Sequence, residues 1–353
     1  MTRARPPRMT GLSLIELMIS LVIGSLLIAG AVLVYSQSRN TYSVNESVAR
    51  LQEQARYVFS IMESDIQLAG YYGYSNAPQD FSFWDAGTLT PVSQLQQLTD
   101  DPELAALPTA ARACGKNFAV DLLATVEGSN GALSFPSTCG NAATAYRANT
   151  DTLTIRRSSV DDADVTSTKI QLLVNRTKRS NERIFISNTA PEAVDPDVNA
   201  VRDLIVRTYY VADGPNNLPE LRVISLGKGP AFQDTTVMTG VQDMQVQFGL
   251  DTGDYDGDGT IDAAQDLNND GIPDAPNGIA TRYVDPQAAS SPAFAGLQVV
   301  SVRIWLLLRA DRGEPGYTNT NEYQYAGITY KPADNIRRLL VSRTIQLRNA
   351  RTL

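Results

Sequence analysis

Gly11-Leu12-Ser13-Leu14-Ile15-Glu16-Leu17-Met18-Ile19-Ser20-Leu21 opens an apolar run that continues to about Tyr35. The run contains one acidic residue, Glu16, and no Lys or Arg, and three arginines precede it, Arg3, Arg5 and Arg8. Leu12 to Tyr35 is long enough to cross a bilayer, for which about 20 apolar residues suffice. The arginines favour a cytoplasmic N-terminus with the rest of the chain outside. A secretory signal is cut after its apolar region. Here the glycine suited to processing lies before that region, so a cut leaves the helix on the mature chain. A carboxylate near the middle of a spanning helix costs roughly 2.5–3.5 kcal/mol, and less near its end. Cleavage after Gly11 creates a positive amine at Leu12, four residues from Glu16. That amine, on this chain or on a neighbour, is the natural partner for the carboxylate.

Working outward, residues 37–69 read as an amphipathic continuation of the same helix. Val44, Val48, Leu51, Ala55, Val58, Met62 and Ile66 step by three or four residues and share one face. Asn45, Arg50, Glu53, Arg56 and Glu63 fill the rest, and Gly70 supplies a C-terminal stop. A helix from Leu12 to Ala69 is about 87 Å long at about 1.5 Å per residue. Its apolar stripe calls for a globular partner.

Of the 353 residues, 43% are hydrophobic and 19% charged, enough apolar side chain for a real core and not the composition of a disordered chain. The net charge of −8, without a basic stripe, argues against direct nucleic-acid binding. The chain has no histidine, which excludes Ser-His-Asp and Cys-His sites, a His-ligated zinc and a His general base. The two cysteines, Cys114 and Cys139, are too few for a four-cysteine metal site. An exported chain favours one disulfide between them; two buried thiols are the alternative. They fall in residues 75–150, which look irregular, with Pro78, Pro91, Pro102, Pro108 and Pro136 among many Gly, Asn and Ser.

From Asp151 the pattern changes to period two. Thr152–Arg156, Lys169–Val174, Arg183–Ile186, Leu204–Val211, Leu221–Ile224, Val241–Phe248, Val299–Leu307 and Leu339–Leu347 read as strands divided by turn residues. With no repeated strand–helix alternation, the fold class is α+β with antiparallel sheet. A long N-terminal helix, first membrane-spanning and then amphipathic, packs on a β-rich head over residues 70–353.

The opening segment resembles the type IV prepilin signal: a basic leader, a glycine, then an apolar helix with Glu as its fifth residue. The resemblance implies that a prepilin peptidase removes residues 1–11, cutting between Gly11 and Leu12, and methylates the new amine. Leu12 stands where Phe is usual. Two further stretches are similar to the PilW family of minor pilins. They are Gly240-Val241-Gln242-Asp243-Met244-Gln245-Val246-Gln247-Phe248-Gly249 with its Asp-rich sequel, and Arg337 to Asn349; the Ala69-Gly70-Tyr71 junction is similar as well. Members often carry a cysteine just after that junction, where this chain has Tyr74, so their disulfide pattern is not carried over.

The Asp-rich sequel, 251–277, has chemistry of its own. Asp254, Asp256 and Asp258 are spaced by two, Gly259 follows, Thr260 offers its carbonyl and Asp262 stands ninth. That is the first part of an EF-hand-type calcium loop. Gln265 occupies the twelfth position in place of the bidentate Glu, with Asp266 one residue on. Asp266, Asn268, Asp270 and Asp274 repeat the spacing, so one calcium site and a second, weaker one are expected. The tandem looks more like the loops of thrombospondin type 3 repeats than a helix-flanked EF-hand. Eight Asp and no Lys or Arg between Asp251 and Thr281 should repel one another without a cation.

The resemblance implies a structural, non-catalytic minor pilin that primes or caps pili, with Glu16 setting axial register against a neighbouring amine. Implied partners are other minor pilins and the major pilin through the N-terminal helix, prepilin peptidase, the inner-membrane assembly platform and a pilus-tip adhesin. Implied locations are the inner membrane, with the head in the periplasm, and then the pilus, at its tip. A minor pseudopilin of type II secretion shares the N-terminal logic but not the PilW-like ends. A membrane-anchored calcium-dependent adhesin predicts a pocket near Asp254–Asp262 and no need for Glu16.

Overall fold

In the computed structural model, Leu14–Gln67 form one α-helix, α1. The structure describes residues 13–350 apart from 76, 98–99, 134, 137, 141–144, 178–181, 252–277 and 287–297. The chain divides into two units, Met1–Arg50 and Leu51–Leu353. In the first unit the helix keeps its large apolar side chains exposed from Leu14 to Tyr35. It is long and apolar enough to cross a membrane. Val44 and Val48, expected on the buried stripe, are half-buried.

In the second unit the helix is amphipathic, as its spacing requires. Leu51, Ala55, Val58, Met62 and Ile66 are buried, joined by Phe59. The helix stops at Gln67, two residues short of the expected Ala69. Gly70 takes a left-handed φ of +72°, and an added Cβ would come within 3.2 Å of Thr125. The Gly70 N–H then donates to the Arg156 carbonyl (3.0 Å) and the Ser158 N–H to that of Tyr71 (2.6 Å), so the chain leaves the helix directly onto a strand.

Among the described residues fifteen strands follow: β1 (Ser82–Asp85), β2 (Thr88–Pro91), β3 (Val126–Ser129), β4 (Thr152–Ser158), β5 (Gln171–Asn175), β6 (Arg183–Phe185), β7 (Asn199–Asp213), β8 (Pro219–Leu226), β9 (Phe232–Thr239), β10 (Val241–Asp251), β11 (Arg282–Val284), β12 (Gln298–Arg309), β13 (Tyr323–Tyr325), β14 (Ile328–Tyr330) and β15 (Arg338–Gln346). Nine make one sheet, ordered β2-β1-β6-β5-β7-β4-β3, with β8 on β7 and β9 on β8. Four make a second, β11-β10-β12-β15, and β13–β14 is a hairpin. All pairs are antiparallel except β1 with β6, where Ser82 lies against Arg183 and Phe83 against Ile184. That short parallel pair takes β1 from the stretch read as irregular, and the rest of the paired strands among the described residues are antiparallel as expected. The chain runs on through β2 to β5 between β1 and β6, so no hairpin fixes their relative direction.

Alternation along β7 feeds two cores. Leu204, Val206, Tyr210 and Ala212 join one, and Tyr209 and Val211 the other. The second core takes the helix from Leu51 to Ile66, together with Leu153, Ile155, Met244, Val246, Phe248, Ile304, Leu306 and Ile345. The first is closed by residues 75–150. Expected to be irregular, they do lack long elements, yet they hold β1 to β3 and bury Phe81, Phe83, Leu95, Leu107, Phe118 and Leu122. Cys114 and Cys139 are disulfide-bonded there, with Cα atoms 4.4 Å apart. By chain-entropy arithmetic a cross-link of this span contributes about 3.5 kcal/mol. Arg156, fully buried on β4, holds the same layer by donating to the carbonyls of Phe118 (3.0 Å) and Ala124 (2.6 Å) and to Glu127 (2.9 Å).

Candidate functional site

Glu16 sits in the first turn of α1, with Ser13 as the preceding cap. The Ser13 N–H donates to Glu16 Oε2 at 2.9 Å. The Leu17 N–H donates to the Ser13 carbonyl (3.2 Å), and the Ser20 hydroxyl to the Glu16 carbonyl (2.6 Å). This is one arm of a capping box, in which a carboxylate three residues in satisfies the N–H of the cap residue. Its negative charge also lies at the positive end of the helix dipole. The Ser-x-x-Glu signature is present in Ser13-Leu14-Ile15-Glu16, a signal overlooked when Glu16 is considered only as a partner for an amine. Gly11 and Leu12, the expected cleavage pair, lie outside the described residues.

At the other end of the helix, Asp65 was not anticipated. Its side chain is 1% exposed, yet it is fully partnered from the large sheet. Arg157 on β4 donates to one oxygen (2.8 Å), and Arg207 and the Tyr209 hydroxyl on β7 donate to the other, each at 2.6 Å. Burial acts to raise the Asp65 carboxyl, but the Tyr209 hydroxyl and the two guanidiniums outweigh it and hold the group below the usual carboxylate range. Two outer contacts add to the anchorage. Arg343 on β15 pairs with Glu63 and lies 5.3 Å over the Phe59 ring, and the Arg348 N–H donates to the Gln67 carbonyl at 3.1 Å.

The acidic stretch is inserted between two paired strands. Its candidate calcium ligands, Asp254, Asp256, Asp258, Thr260, Asp262, Asp266, Asn268, Asp270 and Asp274, lie outside the described residues. Its stems are described: Phe248 pairs with Val284 and Leu250 with Arg282 across β10 and β11. Buried Asp251 accepts the Gly278 N–H at 2.6 Å, Gln346 Nε2 donates to the Gly278 carbonyl at 2.7 Å, and the Thr281 N–H donates to the Leu250 carbonyl at 2.9 Å. The insertion is therefore closed at its neck. Among the described residues no group of three His, Cys, Asp or Glu side chains is placed to hold a metal ion. Near the neck, buried Asp151 ties β4 to β10 by accepting the N–H groups of Gly131 (2.9 Å) and Val246 (2.8 Å). Burial pushes its carboxyl up to about 6.

A long apolar helix, started by a capped glutamate, is thus followed by a largely antiparallel β-rich domain. The family model for Type IV Pilus-assembly protein W matches residues 208–349, and that for the prokaryotic N-terminal methylation motif matches residues 7–32. The two matches make the chain similar to this pilus-assembly family over its C-terminal part and to prepilin-type signals at its start, and together they leave more than half of the chain uncovered. The first runs from the middle of β7 through β15; the second covers the end of the basic leader and the start of α1. A solved structure, a type IV-like pilin from Thermus thermophilus, is similar over 64% of this chain and 83% of its own, at 16% identity and a TM-score of 0.25. No curated protein matches the chain.

Proposed function

We propose that this chain is a minor pilin that primes or caps type IV pili, a structural subunit rather than a catalyst. The observation that carries the reading is the pairing of a capped Glu16 with an apolar helix left exposed from Leu14 to Tyr35. Such a surface needs lipid first and other helices afterwards. In this account prepilin peptidase cuts between Gly11 and Leu12. The helix then holds the subunit in the inner membrane with its head in the periplasm, until the assembly platform passes it to the filament. There Glu16 exchanges the Ser13 N–H for the Leu12 amine of a neighbouring minor or major pilin. A place at the pilus tip, next to an adhesin, follows if the subunit primes assembly. The match over residues 208–349 favours this reading over a type II pseudopilin.

In the same account the loop 251–277 binds one calcium ion through Asp254, Asp256, Asp258, Thr260 and Asp262, and a second, more weakly, through Asp266, Asn268, Asp270 and Asp274. What supports it is the ligand spacing and a neck already closed by Asp251 and Gly278. The missing twelfth-position Glu suits millimolar calcium outside the cytosol.

The test is Glu16→Ala in the full chain. Head stability should be unchanged while incorporation into pili falls at least tenfold; normal incorporation would refute the role given to Glu16. Calcium titration of the full chain in detergent should raise the head's melting temperature by mass action, and Asp256→Ala should remove most of that rise. A melting temperature indifferent to millimolar calcium would leave the loop as a solvated turn.

A further inference from the structure

The face of the four-stranded sheet turned away from the helix carries an arginine with no acidic partner among the described residues. Strand register places Gln247, Arg303 and Thr344 in one row, Gln245, Trp305 and Ser342 in the next, and Tyr283, Gly249 and Ser301 on the other side. Gly249 explains the arrangement. A Cβ there would run into Ser301 Oγ and come within 3.0 Å of the Tyr283 ring. Its absence lets the Tyr283 ring lie across the strand, with its hydroxyl 3.2 Å from Ser301 Oγ. The Arg303 guanidinium then stacks 3.5 Å from the Tyr283 centroid, with the Trp305 ring at 5.8 Å. Arg303 Nε donates to Thr344 Oγ1 at 3.2 Å. Among the described residues no carboxylate pairs with Arg303, and the two terminal nitrogens of its fork are uncommitted. The guanidinium is thus held in place by stacking and one hydrogen bond, with most of its rotamer freedom already lost.

We propose that this face docks an acidic segment of another pilus subunit, with Arg303 receiving an Asp or Glu carboxylate and Trp305 and Tyr283 framing it. Trp, Tyr and Arg are the residue types that dominate binding energy at protein interfaces. The patch is the flat face of a sheet, whereas small ligands favour concave sites. Charge complementarity selects the partner: a fixed guanidinium fork pairs with a planar carboxylate. Among the described residues the rest of the sheet face does not supply one, since Asp243 is committed to Tyr325 and Gln245, and Asp285 to Gln247 and Asn130. That the partner is a pilus subunit rests on the proposed function; the docking geometry does not.

The experiment places a photo-crosslinking residue at exposed Ser342, beside Trp305, in the full chain in piliated cells, and a control at exposed Leu27 in the helix. We expect a Ser342 adduct with another pilus subunit, at a peptide containing Asp or Glu. Arg303→Ala should cut its yield at least tenfold, and Arg303→Lys should cut it less, because the charge stays while the fork is lost. The Lys variant, checked for an unchanged melting temperature, decides the matter if the Ala variant fails to fold. A Leu27 adduct without a Ser342 adduct overturns the docking proposal and leaves the assembly reading intact. The absence of both overturns both. A Ser342 adduct indifferent to Arg303 substitution, or formed at a peptide without acidic residues, also overturns the proposal.

Discussion

Leu26 and Met62 lie on one helix and are alike in size and polarity, yet one is 68% exposed and the other fully buried. Around Leu26 every side of the helix is apolar. Around Met62 the apolar residues keep to a stripe, with Glu53, Arg56 and Glu63 outside it. The first pattern has no partner among the described residues, because no single head can cover all sides of a helix. The second is matched by two sheets. Polar residues differ in the same way: among the described residues Glu16 bonds within its own helix turn, whereas Asp65 is gripped by three side chains from two strands. The contrast separates a segment left exposed on all sides from one that holds the head.

Substitutions should therefore act oppositely in the two halves. The largest expected effect on head stability is that of Asp65→Ala, which strands Arg157 and Arg207 and should cost about 3–5 kcal/mol, read by chemical denaturation. Removing the disulfide with Cys114→Ser and Cys139→Ser should cost about 3 kcal/mol and loosen residues 75–150, as hydrogen exchange would show. Two of the buried carboxylates, Asp65 and Asp151, give opposite pH responses. Asp65 is held below its usual range, so its contribution is present above about pH 4 and is lost as pH falls through its lower folded value. Asp151 is pushed up to about 6, so the folded state binds the extra proton and stability falls as pH rises from about 4 to 6. Asp151→Asn should flatten that second slope, a change of about 1–3 kcal/mol across the window. Leu27→Ala, in the exposed half, should change head stability by less than about 0.5 kcal/mol. A larger shift would mean that the apolar half packs on its own head.

The parts of the molecule legible in the sequence are those with sustained periodicity. The helix and the eight long or strongly alternating strands are of this kind, because one buried face imposes its period on the residues. Phe232–Thr239 is not: Gln-Asp-Thr-Thr carries no apolar alternation, and β9 forms by pairing along β8 at the sheet's margin. Strands β1, β2 and β3 are four residues each, too short for a period to declare itself. Glu16 stands out because a lone charge in an apolar run is conspicuous. Asp65 does not, although it falls three residues from Met62 on the buried side, because its arginines are about 90 and 140 residues away. The Tyr283–Arg303–Trp305 stack is hidden for the same reason, since only strand register brings Tyr283 to Arg303.

The central claim, that the exposed half of the helix belongs to a processed pilin, is tested most directly by mass spectrometry of the chain's N-terminus after expression in piliated cells. The account predicts a chain beginning at a methylated Leu12. A chain that retains residues 1–11 would contradict it.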